Sequence, residues 1–348
     1  MPDSSPDNGP GFVRNPSNPP NPWIRPERIL VATDLSDLDR LMPFALEQAI
    51  ETGARLLLLH VLASGVAMAA DASGVPYFDP AGALEFVEKT MAPWCEFAGR
   101  QSIGCDVLVR EGHPAQNIAA LIRQFHVNRI LLGTRSRSRL GKLLLGSVAE
   151  QVLRSVNLPV ITVGPEAHIS VAHSERVVLH ATTLKETSRT SAALAFQIAA
   201  NQGAKLVLLH VLPPVDEPGG FEPEVFGQQA RRVGASGQPA AQDSAALHGL
   251  RTLASQTLAS QPASQCSSAI ESHVVHGNPS IEILAAAADT RASLIVLGAT
   301  DRSAFANLTR DRTIYRVLAH ARCPVLTLRE PLAASPSAER HCIAQRVK

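Results

Sequence analysis

Two α/β domains in tandem, each built on a doubly wound parallel five-stranded sheet, are what this chain predicts, and three observations carry the prediction. Apolar runs of strand length alternate with longer segments of helical period along most of the 348 residues. The runs are continuous rather than alternating, as strands buried on both faces of a parallel sheet must be. The pattern also occurs twice. Pro114 and Pro279, Gly133 and Gly298, and Pro159 and Pro324 are each 165 positions apart, the signature of a duplicated unit. A chain of this length suits two domains, each large enough to bury its own core.

The first copy reads as strand 28–33, helix 39–52, strand 55–62, helix 84–100, strand 105–110, helix 114–125, strand 129–133, helix 147–155 and strand 160–163. The second repeats its landmarks at Arg176–Thr182, His210-Val211, His276-Gly277-Asn278-Pro279, Leu297-Gly298 and Cys323–Leu328. Alternating strands and helices joined by right-handed crossovers wind a sheet outward from its centre. Ligands then sit beyond the carboxyl ends of the strands, where the winding reverses. Chemistry is expected on the loops after the first and fourth strands.

The domains are expected at 26–165 and 176–330, joined by a linker at 166–175. Residues 1–25 are rich in Pro, Asn, Ser, Asp and Gly and read as a disordered arm, because such a segment buries too little apolar surface to offset its chain entropy. Residues 331–348 read as a flexible tail. A long loop at 213–242 explains why the repeat offset grows from 150 at Gly53/Gly203 to 165 at Pro114/Pro279.

A formal net charge of +1 provides no global field toward nucleic acid or an anionic membrane. The apolar runs are far shorter than the ~20 residues of a membrane helix, and no basic-then-apolar leader opens the chain. Five cysteines without a CxxC pair read as incidental thiols of a cytoplasmic protein.

After the first strand stands Ala32-Thr33-Asp34-Leu35-Ser36, and after the fourth a loop runs from Gly133 to Gly146-Ser147-Val148. Gly133 would let backbone approach a ligand closely. Gly146-Ser147 would present free N–H groups and a hydroxyl at a helix N-terminus, a ready anion site. Arg135, Arg137, Arg139 and Lys142 could add positive charge. A phosphate site beside a carboxylate that can bond a base or sugar points to a nucleotide. The bland alternative is Ser147 as an ordinary helix cap and the arginines as a solvated rim.

On these motifs both copies resemble universal stress protein domains, over about 28–164 and 176–330. Nucleotide-binding members of that family carry D-x-S after the first strand and a loop of form G-x2-G-x9-G-[ST]. Asp34 and Ser36 match the first motif; Gly133, Gly146 and Ser147 match the second, with Ser136 in place of the middle Gly. The resemblance implies strand order 3-2-1-4-5 and ATP, with Mg²⁺ on its phosphates, bound by these loops. Asp34 and Val61 would face the adenine and ribose side, Gly133 the ribose, and Ser136, Gly146, Ser147 and Val148 the phosphates, with Ala32 and Thr33 also among the nucleotide-binding residues. Ser136 either strains a backbone that needs positive φ or donates its hydroxyl to a phosphate.

The second copy departs further. Thr182 takes the place of Asp34, Asp301 that of the middle Gly, and Asp311-Arg312 that of Gly146-Ser147. A carboxylate at Asp311 would cap its own helix and repel phosphate, so nucleotide is expected in the first domain only. The resemblance also implies that the two last strands pair within the chain as a pseudo-dimer, hiding two sheet edges, and that a homodimer of this unit is possible.

The recurring His60 and His210 read as satisfied near-core side chains rather than catalysts. Neither metal-ligand spacing nor a Walker A lysine occurs, and with 4% aromatics no stacking platform for RNA is in sight. The leading expectation is an ATP-binding stress sensor or adaptor with an unidentified protein partner and no catalytic residue. The alternatives are a nucleotide-free scaffold and a weak ATPase.

Overall fold

The computed structural model describes residues 23, 25–62, 68–70, 76–134, 145–167, 176–185, 188–214, 237–259, 269–299 and 313–329. The first repeat runs β1 (Arg28–Thr33), α1 (Leu38–Thr52), β2 (Arg55–Leu62), β3 (Met68–Ala70), β4 (Pro76–Phe78), α2 (Pro80–Arg100), β5 (Cys105–Glu111), α3 (Pro114–Gln124), β6 (Arg129–Gly133), α4 (Ser147–Ser155) and β7 (Val160–Val163). The second runs β8 (Val177–Ala181), α5 (Arg189–Gln202), β9 (Lys205–Leu212), α6 (Gly237–Ala259), β10 (Ile270–His276), α7 (Pro279–Asp289), β11 (Leu294–Ala299), α8 (Thr313–His320) and β12 (Val325–Arg329).

Within each repeat the strands lie in the order third, second, first, fourth, fifth, all parallel. The two five-stranded sheets do not stay separate. β7 and β12 pair antiparallel, Ile161 opposite Leu326, and fuse them into one ten-stranded sheet, β10-β9-β8-β11-β12-β7-β6-β1-β2-β5. The seam is locally symmetric. Thr162 Oγ1 donates to Val325 O at 3.3 Å, and Thr327 Oγ1 donates to Val160 O at 3.2 Å. The β3–β4 hairpin, which no alternation in the sequence announces, stands apart from this sheet.

Period-two placement of side chains sends alternate strand residues to opposite cores. Ile29, Val31, Leu56 and Leu58 join α1 and α2 on one face, where Val178, Leu206 and Leu208 join α5 and α6. Leu30, Leu57 and Leu59 meet α3 and α4 on the other, where Leu179, Val207 and Leu209 meet α7 and α8. Both repeats end their first helix on a left-handed glycine, Gly53 at φ 72° and Gly203 at φ 61°, the conformation a helix C-terminus reaches with least strain through glycine.

Polar contacts lock the repeats together. Arg176, which precedes β8, pairs with Glu47 and Glu51 of α1, and Gln202 of α5 donates to Glu51 at 2.9 Å. Arg329, at the end of β12, donates to the carbonyls of Leu153 and Arg154, placing a cation at the C-terminus of α4.

Two expectations need correction. Trp23, assigned to the arm, packs against the core, and its carbonyl accepts a 2.8 Å bond from the buried guanidinium of Arg129. Burial pushes that guanidinium down to about 10, still charged at neutral pH. The cysteines are not all incidental either: Cys95 of α2 and Cys105 of β5 form a disulfide. A short turn brings the end of α2 back beside β5, leaving the two Cα atoms 5.1 Å apart, within bridging range. Cys323 is a buried thiol, pushed up to about 12 by burial. The disordered-arm assignment of residues 1–22, the tail and residues 215–236 of the expected loop lie outside the described residues, and the expected loop 213–242 ends earlier than predicted, because α6 already begins at Gly237.

Candidate functional site

The carboxyl ends of β1, β2 and β6 and the first turn of α4 open onto one cleft of about 350 Å³, the lower end of the range for small-molecule pockets. Ala32, Thr33, Asp34, Val61, Gly133, Gly146, Ser147 and Val148 all line it. Ser136 and the basic residues near it lie outside the described residues. The topology explains the convergence, because β1 and β6 are neighbours whose following helices lie on opposite faces, leaving a crevice between their loops.

The D-x-S turn is self-bonded. Asp34 accepts from the Ser36 amide at 3.0 Å and the Ser36 hydroxyl at 2.7 Å through one oxygen. Thr33 braces the same turn: its hydroxyl accepts from the Leu35 amide at 2.8 Å and donates to Asp37 at 2.5 Å. Leu35 sits at φ 75°, a left-handed residue that these bonds hold in place. Ser36 therefore serves the carboxylate of Asp34, which is exposed.

Asp37 is the site residue that sequence reasoning missed. It is the N-cap of α1, yet its side chain makes no cap bond. It is buried, at 5% exposure, and lines the cleft. Burial raises its pKa, against the lowering effect of the Thr33 hydroxyl. A Cβ on Gly133 would stand 2.0 Å from Asp37 Oδ2. Gly133 is thus glycine to admit this carboxylate, a reason distinct from the expected close approach of a ligand. The remaining wall is apolar and includes Leu59, Ile118 and Leu132.

At the other side of the cleft, Gly146 rather than Ser147 is the N-cap of α4, and as glycine it makes no side-chain cap bond. The first-turn N–H groups of Ser147 and Val148 precede the start of the intrahelical ladder. Ser147 is exposed. His60 also lines the cleft, with its Nδ1 donating to Thr33 O at 3.0 Å. His210 Nδ1 makes the same bond to Thr182 O at 2.8 Å. The recurring histidine is a clip between two strands.

That clip also corrects the alignment of the copies. Arg28 pairs with Arg55 and Val177 with Lys205, so Thr182 corresponds to Thr33 and Thr183 to Asp34. The turn is otherwise conserved: Leu184 lies at φ 58° and its amide donates to Thr182 Oγ1 at 3.1 Å. What is lost is the carboxylate. Thr183 instead bonds Ser188, the N-cap of α5, at 3.3 Å. Asp301, Asp311 and Arg312 lie outside the described residues.

Residues 26–164 and 175–329 each match the family model described as the universal stress protein family. The chain belongs to that family. Among curated relatives, this universal stress protein is 33% identical over 138 residues to a Thermus aquaticus member described as the universal stress protein in the QAH/OAS sulfhydrylase 3′ region. The match covers 39% of this chain and 96% of the relative. It is 27% identical over 145 residues to the universal stress protein YxiE of Bacillus subtilis, covering 39% of this chain and 97% of that one. Each of these relatives spans one repeat. A solved universal stress protein from Archaeoglobus fulgidus shares the whole arrangement, with a TM-score of 0.60 at 17% identity over 88% of this chain and 99% of that one.

Proposed function

We propose that the first repeat binds ATP and the second does not, and that the chain acts as a stress sensor or adaptor rather than a committed enzyme. The observation that carries this reading is the composition of one cleft. It has an exposed, pre-organised carboxylate in Asp34 on one side, a helix N-terminus with a glycine N-cap at Gly146-Ser147 on the other, and apolar walls between. A carboxylate can accept from a ribose hydroxyl or a base amine, an apolar wall can cover the adenine, and helix N–H groups favour phosphate. Ala32 and Val61 would lie along the base and sugar, with Val148 beside the phosphates. Among the described residues no three metal-ligating side chains are gathered, so a Mg²⁺ would be held chiefly by the phosphates.

Binding rather than turnover fits Asp37, the buried carboxylate of the cleft. One of its oxygens takes the Thr33 hydroxyl and the other lies against Gly133, which leaves it poorly free to activate a water. Hydrolysis, where it occurs, should be slow.

The test is to denature freshly purified protein and identify released nucleotide, with Gly146→Asp as control. One ATP per chain from the wild type and none from the variant supports the reading. Two per chain would overturn the silence of the second repeat. Release of none, together with no calorimetric heat on titrating ATP, leaves a nucleotide-free scaffold.

A further inference from the structure

The loop between β6 and α4 is pinned at its two ends by different repeats. At its entry the Thr134 amide donates to Val163 O at 3.0 Å, a bond within the first repeat. At its exit the Leu145 amide donates to the hydroxyl of Tyr315 at 3.1 Å. Tyr315 belongs to α8 of the second repeat, 170 residues away. Both residues are buried, at 6% and 7% exposure, and share one hydrophobic core.

Leu145 immediately precedes Gly146, the N-cap of α4. A buried amide left without an acceptor costs more than an average hydrogen bond contributes, so the Tyr315 hydroxyl fixes where the backbone turns into the helix. The two repeats differ at this position. With Gly298 equivalent to Gly133, the first-repeat residue at the position of Tyr315 is Glu150, whose side chain is engaged with Arg154 of its own helix. The hydroxyl that accepts from Leu145 is thus particular to the second repeat.

We infer that Tyr315 is a positioning residue for the phosphate side of the first repeat's nucleotide site, so that the second repeat completes a site it lacks itself. This rests on the nucleotide reading given above. Tyr315 touches no ligand. It acts through the Leu145 amide on the Gly146-Ser147 turn, and its influence falls on the phosphates rather than on the nucleoside.

The experiment is calorimetric titration of ATP and of adenosine into the full-length wild type and Tyr315→Phe, which keeps the ring and removes the acceptor. Hydrogen exchange at the Leu145 amide is followed in both proteins. The expected result is roughly tenfold weaker ATP binding, unchanged adenosine binding and faster exchange at Leu145. Equal ATP affinity in the two proteins, or an equal loss for ATP and adenosine, would overturn the positioning role while the nucleotide site stands. A wild type that binds neither ligand overturns both readings, and a cooperative thermal unfolding transition in the same sample separates that result from inactive protein.

Discussion

The turns after β1 and β8 share a backbone and differ in what they carry. Each places a threonine hydroxyl under the amide of a left-handed leucine, and each is clipped by a histidine from the next strand. In the first repeat that frame presents Asp34 and folds Asp37 inward. In the second it presents Thr183, and Leu184 packs toward Gly249 of α6, whose absent Cβ would meet it at 3.1 Å. A duplicated fold can therefore keep the scaffolding bonds of a site while losing the carboxylate it presents. Scaffold and ligand chemistry are separable because they rest on different atoms of the same five residues.

The most severe way to break the comparison is at the carboxylate. Asp34→Ala should reduce released nucleotide from near one per chain to none. Thr183→Asp should add none, because one carboxylate does not restore the α8 side of the second site. Nucleotide stoichiometry after denaturation checks both, and a second nucleotide in Thr183→Asp would show that the lost charge was the whole difference.

The next largest effect concerns stability. His180 occupies the place of Val31, fully buried, with its Nδ1 bonded to Val296 O and its Nε2 without a partner among the described residues. Burial holds its pKa down at about 4. The unfolded chain takes up this proton from about pH 6.5 downward, whereas the folded chain resists it until about 4. The stability present above 6.5 is thus lost as pH falls through this window, amounting to roughly 3 kcal/mol by its lower end. His180→Val, which writes the first repeat's residue into the second, should flatten that part of a denaturant midpoint-versus-pH curve. An unchanged slope would mean that other groups govern acid sensitivity.

A somewhat smaller effect should follow from the disulfide, which the second repeat lacks at the matching strand because β10 begins with Ile270. Closing a loop over a separation of 10 residues contributes about 2–3 kcal/mol in the chain-entropy account. Cys95→Ser should lower the urea midpoint by a corresponding amount, and identical unfolding of reduced and oxidised protein would count against it.

Asp37 offers the finest distinction. Its pKa is raised by burial, so this group alone makes the folded state gain stability as pH falls, opposite in sign to His180. Asp37→Asn should raise thermal stability at neutral pH and remove that opposing contribution. A lowered melting temperature would show that the carboxylate's contact with Thr33 outweighs its desolvation.

The strands of both repeats were legible because a strand buried on two faces cannot hide its apolar run. The cleft was legible because Asp34, Gly133 and Gly146 belong to turns whose chemistry is local. The register of the second copy was not, since Arg28 and Arg176 suggest a match that strand pairing shifts by one residue. Asp37 belongs to no motif in the sequence, and its place shows only where its carboxylate lies against Gly133. The Tyr315–Leu145 bond joins residues that no spacing connects, and the Cys95–Cys105 bridge depends on a helix-to-strand turn that a count of cysteines does not see.

The antiparallel seam has a consequence for how this chain must be made. β7 emerges from the ribosome complete, but its partner β12 is encoded some 165 residues later. At ordinary synthesis rates the first repeat waits on the order of ten seconds with β7 paired to β6 on one side only and its other edge open. Throughout that interval its natural partner is absent while neighbouring nascent chains offer the same strand. A molecule of this chain closes on itself only when its own β12 reaches the open β7 edge before the same strand of another chain does.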